Sequence, residues 1–538
     1  MTRTPARLAS SRFDLLIVGG GIHGLATAYE AAARGLSVAL VERGDFGQAS
    51  SFNHLKTVHG GLRSLQTADV QKFREGIRER RRMARIAPHL VEPLAFLLPA
   101  LPKLTRSRLA LRAAFAIDAL LGADRNQGLP VHLHLPAGQV LGQDDALERV
   151  PLWRNTPATG AARWFDYQMP RTERLTLAFA QAADRRGAVL CNHVEALEPV
   201  IDRGRVRAVP VRDTLTGETA DVVAGLVVNC AGGHAGVFAA RFGAKGPFPL
   251  QKALNLVTRR PWGGDAVGAA LHGGTLFLVP WEGHLVVGTW HDDREFDPGE
   301  GGVAEVELTR CLADVNASFP GLDLARAEVS MVHRGLVPGV RTSAGVQMRT
   351  RGAVLDHASD GVEGALSVIG VKYTTACAVA GRVVALAARK LGRALAPSTT
   401  ETTPLPGGDL PSVASEVEQL TQRYPAVTLG SAEHLVRSYG SRWPDVLRCA
   451  DDSPGLLRRL VPAHPALRAE VVYGVREEMA MTLADVVVRR ARLGVAGYPG
   501  YEAARETAAL MGHELGWNAA RIEAEIQALR KFYAPVDA

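Results

Sequence analysis

Apolar and polar positions divide the chain near residue 395. Before it, short apolar runs alternate with helical patterns; beyond it, nearly every pattern is helical. Residues 13–18, FDLLIV, predict a buried parallel strand, GGGIHG a turn, and LATAYEAAARG an alanine-rich helix stopping at Gly35. The next strand is expected from Ser37 to Glu42. A βαβ unit of this kind implies a parallel sheet with helices on its faces. Residues 69–87, rich in Arg, Glu and Gln, predict an exposed helix.

Further along, TERLTLAFAQAADRRG reads as helix, AVLCNHVEALEPV as extended chain and AGLVVNCAGG as a buried strand. Strands expected at 250–258, 275–279 and 284–290, with Trp281, Gly283 and Gly288 at their turns, predict an antiparallel sheet. Residues 365–390 return to strand, turn and helix. Residues 395–412 carry four prolines and few apolar groups, and read as a linker. Past it, Val471, Val475, Met479, Leu483 and Val487 recur every fourth residue, predicting a single helix to Arg492 that Gly494 stops. The expected fold is α/β: a Rossmann-type domain (about 10–95, 170–240 and 345–395) interleaved with an antiparallel-sheet substrate domain (about 96–169 and 241–344). A linker at 396–412 and an all-helical domain at 413–538 follow.

Composition narrows the class without choosing a function. In 538 residues, 47% apolar and 22% charged usage is ordinary for a globular protein with a sizeable core. The 62 Lys and Arg against 55 Asp and Glu give +7, a mild bias toward anionic partners that does not argue for nucleic acid. Five scattered cysteines form no C-x-x-C pair, so neither a disulfide framework nor a cysteine zinc site is expected. His284, His291, Asp292 and Asp293 lack ligand spacing, and no metal is expected. The arginines before Leu15-Leu16-Ile17-Val18 precede too short an apolar run for a signal peptide, and no stretch offers the roughly 20 apolar residues of a membrane span. The segment 100–122 sets Lys103, Arg106, Arg108 and Arg112 among leucines and alanines. It reads either as a basic amphipathic helix for a membrane surface or as an ordinary surface helix packed on the core.

Candidate chemistry begins at Gly19-Gly20-Gly21-Ile22-His23-Gly24, a G-x-G-x-x-G directly after a predicted strand, with Glu42 closing the next strand. Gly19 permits the tight turn, Gly21 lets backbone N–H groups reach a pyrophosphate, and Gly24 lets helix pack on strand. Glu42 is expected to accept ribose hydrogen bonds and to disfavour a 2′-phosphate. His23 is read as a helix-start residue. The motif alone does not choose between FAD and NAD. The late glycine turn VIGVKYTT, opening a helix, favours FAD, because a reduced flavin needs a helix N-terminus or a lysine beside its N1 and C2 oxygen.

The run DLLIVGGGIHGLATAYEAAARGLSVALVERGDFGQASS, then LKTVHGGLRSL, VVNCAGGHAG, VPWEGHLVVGTWHDD, VIGVKYTT and the helical EEMAMTLADVVVRRARLG resemble the FAD-dependent glycerol-3-phosphate dehydrogenases and oxidases over nearly the whole chain. The resemblance implies that Gly19, Gly21, Gly24 and Glu42 hold the ADP half of FAD. It places Ser50, Ser51, Lys56, His59, Gly60 and Gly61 along pyrophosphate and flavin, Val194 and Gly232 at the nucleotide, and Gly370, Lys372, Thr374 and Thr375 at the flavin pyrimidine. Arg63, Arg351, Lys372 and one of Arg334 or Arg341 would meet a substrate phosphate. The chain departs from the family at Ser64, where tyrosine is usual, at Asn255, where histidine is common, at Val371 and in SSFNHLK.

The implied chemistry is oxidation of a secondary alcohol, with His59 as first choice of base and Lys372 as a second. His59 as a structural donor to the flavin is the competing reading. Quinone at a membrane surface is the implied electron acceptor, with oxygen second, which locates the enzyme in the cytoplasm or on the inner face of the plasma membrane. A homodimer stays open. The alternatives are a related flavin oxidoreductase acting on another anionic alcohol, a 2-hydroxy acid or an amine, and a flavoprotein without turnover.

Overall fold

The structure is a computed structural model and describes residues 1–61, 69–244, 248–271, 274–343 and 345–534. Arg63 and Ser64 lie outside the described residues. The strand Arg12–Val18 is central to a sheet ordered Ala353–Asp356, Ala365–Ile369, Thr219–Asn229, Arg12–Val18, Val38–Val41, Val189–Cys191. All but the first of these run parallel. Leu15 and Ile17 face a core shared with the helices Ile22–Ala33, Thr172–Asp184 and Ala376–Leu391, whereas Leu16 and Val18 face a second core with Val41 and Val227. Burial on both faces is what a parallel sheet requires. The register aligns Val18 with Val41 and Asn229, so the carboxyl ends of the strands share one edge, where open α/β sheets bind ligands.

A ten-stranded sheet stands beside it, built largely of antiparallel neighbours. Leu250–Pro261, Gly274–Trp281, His284–His291 and Val329–Thr342 supply one part, and Glu92–Ala100, Gly160–Gln168 and the short Thr57–Val58 the other. Two segments from the first hundred residues, Thr57–Val58 and Glu92–Ala100, therefore reach into this second sheet.

Several expectations change. The helix Val70–Ile86 is not simply exposed, since Phe73, Ile77, Arg80 and Met83 form a buried face. The segment expected as a linker has no helix or strand, but it is held to the body: Leu405 is in the main core, its N–H donates to Ile86 O at 2.8 Å, and Thr400 donates to the buried Glu30. The single helix expected to Arg492 is broken. A helix spans Arg468–Glu478, Met479 turns left-handed at φ 54°, and a separate π-helical segment covers Asp485–Arg490. Val471, Leu483 and Val487 still share one core with Leu460, Met511 and Ile526, with Val475 packed against it, whereas Met479, at the break, joins the core of the parallel sheet.

Within residues 100–122 a helix spans Arg108–Leu121. Only Phe115 and Asp118 are buried; Leu109 is 76% exposed, Leu120 77%, and Ile117 is exposed too. Leu109 and Leu120 point away from the core, whereas Ala113 and Ile117, though exposed, stand at the cavity wall.

Candidate active site

A single cavity of about 2880 Å³ runs from the carboxyl edge of the parallel sheet across the face of the second sheet to the inner side of the helix Arg108–Leu121. At one end stand Gly19, Gly21 and Glu42, with Val194 and Gly232. A Cβ on Gly24 would lie 1.9 Å from Gly19 O, so only glycine lets this helix approach the strand. The Glu42 carboxylate accepts the N–H groups of Gly20 at 2.7 Å and Gly44 at 2.9 Å. Burial pushes the Glu42 carboxyl up, and the two amide donors draw it back. Ser51 Oγ accepts from Ile22 N at 2.9 Å, capping the first turn of the helix on which a pyrophosphate would rest.

The wall continues through Ser50, His59 and Gly61 to Gly370, Lys372 and Thr374, and includes Asn255, Arg334 and Arg351. Asn255 Oδ1 accepts from Thr289 Oγ1 at 2.8 Å. Arg351 pairs with Asp69 at 2.5 Å. A Cβ on Gly370 would fall 2.5 Å from the His23 ring, which is why glycine opens that turn.

Three expected positions are placed elsewhere. Lys56 does not line the cavity: its ammonium is fully buried, donating to Phe52 O at 2.6 Å and Thr172 Oγ1 at 3.0 Å over the Phe52 ring. The chain reverses at Lys56, φ 60°, and carries the side chain inward, where burial pushes its pKa down to about 7. Gly60 lies behind the wall, its N–H donated to Asp166. Arg341 ends its strand in solvent, forked onto Glu295 at 2.7 and 2.6 Å. Of the two arginine candidates it is Arg334 that reaches the cavity, half-buried and with no ion-pair partner among the described residues.

Several residues of the site are assigned no role there from the sequence, His23 among them, which is read only as a helix-start residue. Asp166, in the strand Gly160–Gln168, lines the cavity and accepts from His59 Nδ1, Gly60 N, Arg80 and Trp164 Nε1. His23 and His54 also line it, and each leaves a buried Nε2 without a protein partner. His54 Nδ1 accepts from Lys56 N at 3.0 Å, and burial holds its pKa well below the usual imidazole range, so Nε2 carries the proton of a neutral ring. A buried donor at the wall and a glycine loop shaped for phosphate fit a long dinucleotide such as FAD.

Comparison with known proteins agrees with this geometry. Residues 14–386 match the FAD dependent oxidoreductase family, and residues 398–522 match the C-terminal domain of alpha-glycerophosphate oxidase. A glycerol-3-phosphate dehydrogenase of Synechocystis sp. is 30% identical over 98% of this chain and 97% of its own. Glycerol-3-phosphate dehydrogenase 2 of Mycobacterium tuberculosis is 31% identical over 97% of this chain and 88% of its own. In fold, the chain superimposes on the glycerol-3-phosphate dehydrogenase from Bacillus halodurans, solved with FAD, with a TM-score of 0.77 over 98% of this chain and 96% of that one, at 24% identity. Likeness that runs through the nucleotide sheet, past the proline-rich strap and into the helical cap leaves one assignment: the chain belongs to the family of FAD-dependent glycerol-3-phosphate dehydrogenases.

Proposed function

We propose that the protein oxidises the secondary hydroxyl of sn-glycerol 3-phosphate to give dihydroxyacetone phosphate. Bound FAD supplies the two-electron acceptor, taking hydride at N5. The observation that carries the reading is Arg334, a half-buried guanidinium at the cavity wall with no ion-pair partner among the described residues, available to a phosphate. In this reading Arg351, Lys372 and Arg63 complete the phosphate site, and Asn255 contacts the substrate. His59, on the wall, takes the hydroxyl proton. Gly19, Gly21 and Glu42 hold the adenosine diphosphate half, and the Gly370–Thr374 turn holds the pyrimidine side of the flavin.

Quinone is the proposed electron acceptor, reached at a membrane surface. Among the described residues no helix is long and apolar enough to cross a membrane. The outward Leu109 and Leu120 of the helix Arg108–Leu121, with the exposed Arg108 and Arg112 on the same helix, suit contact with an anionic lipid surface. Asn255, an uncharged amide where the family commonly has histidine, favours a second reading in which another anionic alcohol or a 2-hydroxy acid is oxidised.

The deciding experiment adds glycerol 3-phosphate, 2-hydroxy acids and secondary amines to the holoenzyme without oxygen and follows flavin bleaching. Rapid bleaching by glycerol 3-phosphate is expected. Bleaching only by a 2-hydroxy acid or an amine would transfer the assignment to that substrate.

A further inference from the structure

We infer that Asp166 is a positioning residue of the reaction: it dictates which ring nitrogen of His59 carries the proton, and so leaves the other to receive the substrate's hydroxyl proton. The inference rests on the reading of His59 as base. Asp166 is 2% exposed. Its Oδ1 accepts from Gly60 N at 2.7 Å and from the Arg80 guanidinium; its Oδ2 accepts from His59 Nδ1 at 3.2 Å and Trp164 Nε1 at 3.3 Å. An ionised carboxylate has about four acceptor sites, and four donors fill them.

Backbone amide, guanidinium and indole can only donate, so the carboxylate has to stay an acceptor toward all of its partners. Burial pushes the Asp166 carboxyl up, but Arg80, His59 and the Gly60 amide outweigh it and hold it below the ordinary value. His59 Nδ1 therefore bears a proton whether or not the ring is charged. In the neutral ring the lone pair lies on Nε2, which has Thr57 Oγ1 at 3.0 Å. Thr57, His59 and Asp166 all line the cavity.

A substrate hydroxyl taking the place of Thr57 at Nε2 would give up its proton there, while bound FAD would supply the acceptor for the hydride of the carbon bearing that hydroxyl. The alcohol loses one proton and two electrons with a second hydrogen, the ketone leaves, and the imidazolium releases its proton to solvent. Asp166 never takes that proton; with Arg80 on its other side it holds the ring still and stabilises the charge that Nε2 acquires. The aromatic faces around His59 are Phe96, centroid at 5.4 Å, and Phe277 at 6.2 Å. Asp166 bonds the His59 Nδ1, and Arg80 stands behind Asp166 on that carboxylate's other oxygen.

An amide at 166 would offer N–H where Nδ1 donates now, moving the ring proton to Nε2. Asp166→Asn is thus expected to slow anaerobic flavin bleaching by saturating glycerol 3-phosphate about 10²- to 10⁴-fold, with KM changed only a few-fold. His59→Asn should lose a similar factor, and the double variant should be no more than about threefold slower than His59→Asn alone. Asp166→Asn within about threefold of the parent, or losses that multiply in the double variant, would overturn the inference. Nitrogen-15 spectra of histidine-labelled holoenzyme, assigned by His59→Asn, test it without relying on that variant's folding. A protonated Nδ1 and a bare Nε2 are expected, and a bare Nδ1 overturns it. If His59→Asn bleaches at the parent rate, the base assignment fails, while the same spectra still decide whether Asp166 sets the ring.

Discussion

Arg334 and Arg341 share one strand, yet the first faces the cavity and the second solvent. Arg334→Met should raise KM for glycerol 3-phosphate about 10- to 100-fold, the weight of a charge-assisted hydrogen bond of roughly 1.5–3 kcal/mol. Arg341→Met should stay within about twofold, because an exposed pair contributes about 1 kcal/mol or less. Steady-state kinetics on both variants checks this, and equal effects would return the choice to open. Residue-scale chemistry was legible in the sequence where it is backbone chemistry over a short span, as at Gly19, Gly24 and Glu42. It was not legible for the arginines. Seven residues apart on one strand, they must face opposite sides, but alternation does not say which side meets the cavity; that is set by pairing with Leu250–Pro261, a strand about eighty residues away in sequence. Asp166 gave no signal at all, since its partners His59 and Arg80 are 107 and 86 residues away in sequence.

At the level of elements, periodicity reveals the helices and strands, reads the strap at 395–412 as a linker, and misses the interruption at Met479. A buried network, invisible to local pattern, makes that break. Asn192 Nδ2 donates to Met479 O at 2.8 Å, and Asp485 Oδ2 accepts from Met481 N and Thr482 N, starting the next segment. From that segment Arg489 and Arg490 reach the buried Asp45, three residues beyond Glu42, while His193, next to Val194, meets Asp485 at 2.9 Å. The helical cap thus braces both loops at the Glu42 and Val194 end of the cavity. Arg490→Met leaves a buried carboxylate short of one partner, and urea denaturation should show a loss of about 3–5 kcal/mol with weaker FAD retention. The same titration has a defined pH trend. Burial lowers the His193 pKa, but its bond to Asp485 outweighs this and raises it. Its contribution is therefore full below about 6.5, the ordinary histidine value, and is lost as pH rises through the raised pKa. Histidine replaced by asparagine at 193 should flatten that decline, and an unchanged slope would assign it to another group.

On the scale of the whole molecule, the helix Arg108–Leu121 covers the cavity with Ala110, Leu111 and Ala114 and turns Leu109 and Leu120 outward. Flotation with anionic phospholipid vesicles should carry the protein up, and Leu109→Glu with Leu120→Glu should reduce the bound fraction about tenfold or more while flavin bleaching is retained. Equal flotation of parent and variant would place any lipid contact elsewhere. The net +7 alone gave no such location. The interleaving of the two sheets reaches further still. Arg12–Val18 has Val38–Val41 on one side early, but its other neighbour, Thr219–Asn229, comes far later and in turn pairs with Ala365–Ile369; among the described residues, the ion pairs of Asp45 are with Arg489 and Arg490. During synthesis the glycine loop is among the earliest parts to leave the ribosome, yet it has no finished sheet to stand on until most of the chain has followed. Nascent or C-terminally shortened chains must therefore carry unpaired apolar strands, and dependence on chaperones, rather than a smaller active enzyme, is the expected outcome of truncation.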